Sequence, residues 1–458
     1  MECSFQTSLL LFITVSYFVV TESIKPNRMA MKLIHRESVA RLNPNARVPI
    51  TPEDHIKHLT DISSARFKYL QNSIDKELGS SNFQVDVEQA IKTSLFLVNF
   101  SVGQPPVPQL TIMDTGSSLL WIQCQPCKHC SSDHMIHPVF NPALSSTFVE
   151  CSCDDRFCRY APNGHCGSSN KCVYEQVYIS GTGSKGVLAK ERLTFTTPNG
   201  NTVVTQPIAF GCGYENGEQL ESHFTGILGL GAKPTSLAVQ LGSKFSYCIG
   251  DLANKNYGYN QLVLGEDADI LGDPTPIEFE TENSIYYMNL EGISVGDTQL
   301  NIEPVVFKRR GPRTGVILDS GTLYTWLADI AYRELYNEIK SILDPKLERF
   351  WFRDFLCYHG RVSEELIGFP VVTFHFAGGA ELAMEATSMF YPLSEPNTFN
   401  VFCMSVKPTK EHGGEYKEFT AIGLMAQQYY NIGYDLKEKN IYLQRIDCVQ
   451  LDDYSPSK

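Results

Sequence analysis

One six-residue pattern occurs twice in this chain, and the repetition constrains its fold more than any other feature. Ile112-Met113-Asp114-Thr115-Gly116-Ser117 and Ile317-Leu318-Asp319-Ser320-Gly321-Thr322 both read apolar, apolar, Asp, hydroxyl, Gly, hydroxyl, 205 positions apart. Each is followed by an apolar pair and a glycine, Ile227-Leu228-Gly229 and Ala421-Ile422-Gly423, at 115 and 104 positions after its aspartate. With average residue usage, Asp-Thr/Ser-Gly is expected by chance about 0.2 times in a chain this long, so a single copy would carry little weight. Two copies, each at the end of an apolar stretch and each with a matched downstream glycine, imply an internal duplication. The expectation is two lobes of similar construction, each giving one Asp loop.

The surrounding sequence reads as a mostly-β chain. Residues 95–103 alternate and end at Gln104-Pro105-Pro106, and residues 109–113 form a second apolar strand running into Asp114. Strand-and-turn punctuation continues almost to the C-terminus, with 22 Tyr, 26 Phe and 24 Pro. Only residues 329–343 within this body have a convincing helical pattern. The expected domains are an N-terminal lobe over 86–270 and a C-terminal lobe over 271–458.

The N-terminal region differs in kind. An apolar run from Leu9 to Val20, followed by small and polar residues, has the form of a secretory leader ending near residue 23; it falls short of the ~20 residues a membrane span requires. Residues 24–80 then carry ten Lys/Arg against six Asp/Glu, whereas the remainder from Ser81 on has a net charge of −15. Thr51-Pro52-Glu53-Asp54 has the composition of a helix start, and Ile56, Leu59, Ile62, Leu70 and Ile74 recur at helical spacing through Glu77. A basic helical piece between a leader and an acidic body reads as a propeptide, over 24–85, that covers an acidic cleft; a permanent helical subdomain is the alternative. The formal charge of −13 argues against nucleic acid and anionic membrane as partners.

The loops suit a particular chemistry. Gly116 and Gly321 allow a tight turn that points backbone N–H groups at the acid. Ser117 and Thr322 can bond the outer carboxylate oxygens, and Thr115 and Ser320 can bond across to the opposite loop. Two carboxylates held about 3 Å apart cannot both ionise, so the pair keeps one proton over an acidic range. The ionised member can take a proton from a water while the other polarises a carbonyl, which is peptide hydrolysis without a covalent intermediate or a cofactor.

Fourteen cysteines are present, nine of them between Cys124 and Cys212. In a secreted chain such a cluster is a disulfide framework; Cys124, Cys127 and Cys130 with His129, His134 and His137 also have the look of a zinc ligand set. Without Cys3, thirteen remain, so one thiol should be unpaired. Asn99-Phe100-Ser101 is a glycosylation sequon set in a strand.

From Leu95 to Cys448 the chain resembles the pepsin-type aspartic peptidases and, within them, the plant nepenthesin-like branch. The matching residues are Asp114-Thr115-Gly116-Ser117-Ser118 with Trp121, Asp319-Ser320-Gly321-Thr322 and Gly226-Ile227-Leu228-Gly229-Leu230-Gly231. Phe245-Ser246-Tyr247-Cys248, Gly423, Ala426-Gln427 and Gly433-Tyr434-Asp435 extend the match, as do the Cys-rich insertion between Cys124 and Cys172 and the run Leu33-Ile34-His35-Arg36. The resemblance implies a bilobal pepsin-like β fold with pseudo-twofold lobes, catalytic Asp114 and Asp319, and a hairpin flap carrying a tyrosine. Tyr178 fits that position, although Ile179 stands where the branch usually has glycine.

The branch's pattern would pair Cys124 with Cys127, Cys130 with Cys212, Cys153 with Cys172, Cys158 with Cys166, Cys248 with Cys448 and Cys357 with Cys403. Cys151 would be left as a surface thiol or as a shuffling partner for Cys153. The implied protein is a secreted, apoplastic or vacuolar, monomeric endopeptidase acting on protein or peptide substrates, with its own propeptide as a second partner. It needs no metal, and no membrane once the leader is gone. The wider family is also similar to plant xylanase inhibitors, which keep the fold without catalysis; the two intact Asp loops favour the enzyme. A metal-dependent hydrolase would leave the duplicated loops unexplained, and the chain has neither a Gly-x-Ser-x-Gly elbow nor a phosphate-binding loop.

Overall fold

The computed structural model describes residues 28–36, 38, 52–77, 96–128, 130, 137–177, 183–196, 202–216, 224–254, 256–279, 284–352, 354–393 and 400–451. The leader, His129, His134, Tyr178 and Ile179 lie outside the described residues.

Two halves of β-structure flank a shared sheet. In the first half, the strand Phe96–Val102 pairs antiparallel with Val107–Asp114, as the alternation and the Pro105-Pro106 break predict. Asn99 is exposed on the first of these strands. Trp121–Lys128 and Ile208–Asn216 pair in parallel with each other in the same half. In the second half, Gly315–Leu318, Thr325–Leu327 and Phe419–Ile422 form the equivalent set. The shared sheet takes Lys244–Ile249 and Gln261–Leu264 from one side and Tyr430–Asp435 and Asn440–Arg445 from the other. The two aromatics of the quoted motifs meet there: Phe245 stacks on Tyr434 with ring centroids 4.3 Å apart.

The helix expected at residues 329–343 is present as Asp329–Leu343. Ala331, Leu335, Ile339 and Leu343 recur every four residues and are buried, so one stripe of the helix faces the core.

The segment before the body is less purely helical than its composition suggests. Met29–His35 is a strand. Its first part, Met29 to Lys32, pairs with Leu264 to Gln261 of the shared sheet, and its second part, Leu33 to His35, pairs with Val98 to Phe96 of the first half. His35 is buried, edge-on to Phe96. The predicted helix is Pro52–Glu77. Its inward stripe consists of Leu59, Ser63, Arg66, Phe67, Leu70 and Ile74, all buried. Fully burying side chains such as Phe67, Leu70 and Ile74 contributes ~1.5–3 kcal/mol each, so apolar contact rather than surface charge holds the helix down.

The described cysteines form six disulfides, and four of them correct the expected pairing. Cys124 bonds Cys212, Cys127 bonds Cys130, Cys153 bonds Cys166 and Cys158 bonds Cys172. The reason in the first case is strand register: Cys212 lies opposite Ile122 on the neighbouring strand, and Cys124, two residues on, shares Ile122's face. That leaves Cys127 and Cys130 to close a local loop. The bridges of Cys248 with Cys448 and of Cys357 with Cys403 are as expected. Cys151 is unpaired, as expected, but it is buried rather than a surface thiol. No helix among the described residues is long and apolar enough to cross a membrane.

Candidate active site

Each Asp loop is fixed from behind by the strand that carries its downstream glycine. Gly226–Gly229 runs parallel to the strand ending at Asp114, with Gly229 opposite Asp114. In the second half, Leu318 lies opposite Ile422, so Gly423 follows Asp319 in the same way. Backbone bonds close both arrangements: Leu230 N–H donates to the Asp114 carbonyl (2.8 Å), and Asp319 N–H donates to the Ile422 carbonyl (3.0 Å). Glycine is required by close approach. A Cβ on Gly229 would lie 2.5 Å from the Ser118 carbonyl carbon, and one on Gly423 would lie 2.3 Å from the Tyr324 oxygen. Behind the second loop, the Tyr247 hydroxyl donates to Gln427 Oε1 (2.7 Å), and Gln427 Nε2 donates to the Ile422 carbonyl (2.8 Å) and the Asp319 carbonyl (3.3 Å).

The loops meet at the junction of the halves. Thr115 and Ser320 bond across it, as their hydroxyls suggest. Ser117 Oγ donates to Asp114 Oδ2 and Thr322 Oγ1 to Asp319 Oδ2, while Gly116 N–H donates to Asp114 Oδ1 (3.0 Å). Gly116 and Gly321 do not adopt the left-handed backbone conformation that a tight turn would need. Their role is space: a Cβ on either would come within 2.4 Å of the Arg66 guanidinium.

That guanidinium is the feature the sequence reading missed. Arg66, from the buried stripe of the Pro52–Glu77 helix, places Nη2 2.5 Å from Asp114 Oδ1 and 2.6 Å from Asp319 Oδ1; its Nε lies 3.0 Å from Asp319 Oδ2. The side chains of Arg66, Asp114 and Asp319 are only 5%, 3% and 1% exposed. Burial alone would lower the Arg66 pKa, but Asp114 and Asp319 outweigh it and raise it, so the group stays charged. The Tyr69 ring packs 4.9 Å from the guanidinium carbon. The one signal available in the sequence was a lone arginine among apolar residues on a helix's inward face, where charge is rarely buried unless paired.

The neighbouring surface is aromatic. Phe67 stacks on His412 (4.6 Å) and packs against Trp326 (5.4 Å), Phe419 (5.8 Å) and Tyr416 (6.1 Å). At the helix's end, Asp75 Oδ1 accepts from Arg313 Nε and from the Tyr416 hydroxyl, each at 2.7 Å. The charge pairing between this segment and the body therefore runs both ways. Arg28 to Asp269 and Arg66 to the two aspartates follow the overall basic-to-acidic sense, and Asp75 to Arg313 opposes it.

The chain's similarities agree with this architecture. Residues 96–266 match the family described as xylanase inhibitor N-terminal, and residues 285–445 match xylanase inhibitor C-terminal. An Arabidopsis thaliana protein named aspartyl protease UND is 32% identical over a stretch covering 77% of this chain and 85% of that protein. Aspartic proteinase nepenthesin-1 of Nepenthes gracilis is 29% identical, covering 96% of this chain and 98% of its own. Among solved structures, one titled crystal structure of edgp superposes with a TM-score of 0.64 at 14% identity, covering 94% of this chain and 97% of that one; it supports the fold alone.

Proposed function

Because the chain belongs to the pepsin-like plant aspartic protease family, we propose that it is a secreted acid endopeptidase made as an inactive precursor. Asp114 and Asp319 are its catalytic pair, and residues 24–85 are the prosegment that silences them. The observation that carries this reading is the convergence of both carboxylates on one atom, Arg66 Nη2, at 2.5 and 2.6 Å.

With Arg66 withdrawn, both carboxylates face one small volume bounded by Gly116 and Gly321. A water held there loses a proton to the ionised carboxylate as its oxygen attacks the carbonyl carbon of the scissile peptide. The protonated carboxyl donates to the carbonyl oxygen. The tetrahedral diol then collapses as a proton passes to the departing amine nitrogen, and the C–N bond breaks with no acyl-enzyme. The crossed Thr115 and Ser320 bonds keep the two acids in register during these transfers. In the precursor, Arg66 occupies the water's place and neutralises the pair. The leader-like N-terminus and the six disulfides support secretion, since such bridges persist in oxidising compartments.

The test is cleavage of a denatured protein substrate by the full chain between pH 3 and 7, with and without pepstatin. Cleavage confined to the acid range, preceded by loss of the prosegment and blocked by pepstatin, is the expected result. A chain that stays inactive after its prosegment is removed would favour the second reading, a non-catalytic inhibitor on the same fold, which the description of the matching family favours.

A further inference from the structure

A deeper reading, resting on the peptidase proposal, comes from the rest of the helix that carries Arg66. Phe67, Gln71 and Asp75 lie four residues apart, on one face of that helix. All three meet the second half: Phe67 in the ring cluster of Trp326, His412, Tyr416 and Phe419, Gln71 Nε2 on the His412 carbonyl (2.8 Å), and Asp75 on Arg313 and Tyr416. The ring cluster adjoins the aspartates. Phe67 follows Arg66 directly, Trp326 lies on the strand just after the Asp319 loop, and Phe419 opens the strand that backs it. Departure of the helix therefore uncovers an aromatic pocket and a guanidinium together.

Trp326 Nε1 and His412 Nε2 are buried in this pocket without a hydrogen-bond partner among the described residues. Buried polar atoms of this kind normally have one, and the Phe67 ring supplies none.

We infer that Arg313 and the Tyr416 hydroxyl, which hold the Asp75 carboxylate here, form a substrate subsite for a carboxylate. The peptidase reading itself already implies an aromatic side chain beside the scissile bond, in the pocket of Trp326, His412, Tyr416 and Phe419, and the carboxylate site lies farther along the same peptide. The prosegment sets the spacing. Phe67 and Asp75 are eight helical residues apart, about 12 Å at the helical rise, and an extended peptide covers that distance in about four residues. Preferred substrates thus carry an aromatic residue next to the cut and Asp or Glu about four residues away, and a basic residue at that second position is disfavoured by Arg313.

The experiment gives acid-activated enzyme, made from the full chain, a degenerate peptide pool at about pH 5 and about pH 3.5, with products sequenced by mass spectrometry. Wild type is run beside Arg313→Gln and Arg313→Glu. At the higher pH, aromatic residues at one position flanking the cut should be enriched about tenfold, and Asp/Glu about four residues away about fivefold. Arg313→Gln should abolish the acidic preference and Arg313→Glu should turn it toward Lys/Arg, both leaving the aromatic preference in place. The acidic preference should also weaken at the lower pH, where peptide carboxylates, with pKa values of about 4, are mostly protonated. An acidic preference that is absent from wild type, or that survives both Arg313 variants, overturns the inference and leaves the peptidase reading standing. No cleavage by wild type at either pH overturns the peptidase reading itself.

Discussion

Thr115 and Ser320 exchange hydrogen bonds in both directions: Thr115 N–H donates to Ser320 Oγ (3.1 Å), and Ser320 N–H donates to Thr115 Oγ1 (3.2 Å). Each residue directly follows an aspartate, so the exchange sets the position of one carboxylate against the other. Thr115→Ala leaves the buried Ser320 N–H without its acceptor, a loss of ~1–3 kcal/mol. The thermal midpoint and the cleavage rate should both fall in Thr115→Ala and should stay near wild type in Thr115→Ser. Calorimetry and a cleavage assay on the same preparations check this.

Arg66 holds both carboxylates, so on the proposed precursor reading its removal acts on prosegment release and not on the chemistry. Truncating one partner of a buried ion pair costs ~3–5 kcal/mol because charge is left uncompensated. Arg66→Ala should therefore shed the prosegment closer to neutral pH than wild type. Arg66→Lys should fall between them, since a single ammonium cannot reproduce the forked contact with Asp319. A processing time course on gels across pH reads the difference directly.

If the Pro52–Glu77 helix belongs to a prosegment, as proposed, His412 gives its docking a pH dependence of its own. Burial under Phe67, aided by the positive charges of Lys68 and Lys407, lowers its pKa to about 3. Lys407 is itself paired with Glu411, and the imidazole also meets the Trp326 ring in a T-shaped contact at 4.2 Å. The docked state thus prefers neutral imidazole, whereas an uncovered histidine titrates near ~6.5. Docking is at full strength above that value and weakens as pH falls from there toward 3. In His412→Gln, which does not protonate, the pH midpoint for prosegment loss should move about one unit more acid. An unchanged midpoint would remove His412 from the account.

The duplicated aspartate motif was legible because it is local and repeated, and its downstream Ile227-Leu228-Gly229 and Ala421-Ile422-Gly423 turned out to be the parallel neighbours of the two loops. The 329–343 helix was legible from its periodicity, with the four-residue recurrence of Ala331, Leu335, Ile339 and Leu343 on its buried side. What the sequence hid depends on long-range placement. Met29–His35 is a short apolar run broken by Lys32 within a basic segment, and only its partners, Gln261–Leu264 and Phe96–Val102, make it a strand. The position of Arg66 over aspartates 48 and 253 residues away follows from helix docking, not from any pattern around it. His412, Tyr416 and Arg313 carry no motif, and their meeting with Phe67 and Asp75 is set by that docking as well. The disulfides failed for a related reason: register between distant strands, not spacing along the chain, chooses Cys212 for Cys124.

Among the described residues Cys151 is the unpaired thiol, buried beside Asp155. Burial, reinforced by the Asp155 charge, pushes its pKa up to about 12, so little thiolate exists in the acid or neutral range. Alkylation of the native protein should leave Cys151 unmodified, and the same reagent after denaturation should label it. Peptide mapping distinguishes the two states. Native labelling would show that the first half opens at this site.

The most direct test of the account compares kcat/KM for wild type, Asp114→Asn, Asp319→Asn and the double variant on one peptide at acid pH, after complete removal of the prosegment. Asparagine keeps the shape of each loop and removes the carboxylate. If the two acids act as one unit, each single change should lower kcat/KM by about a thousandfold or more, and the double variant should fall little further. Wild-type activity in either single variant would contradict the paired-aspartate mechanism.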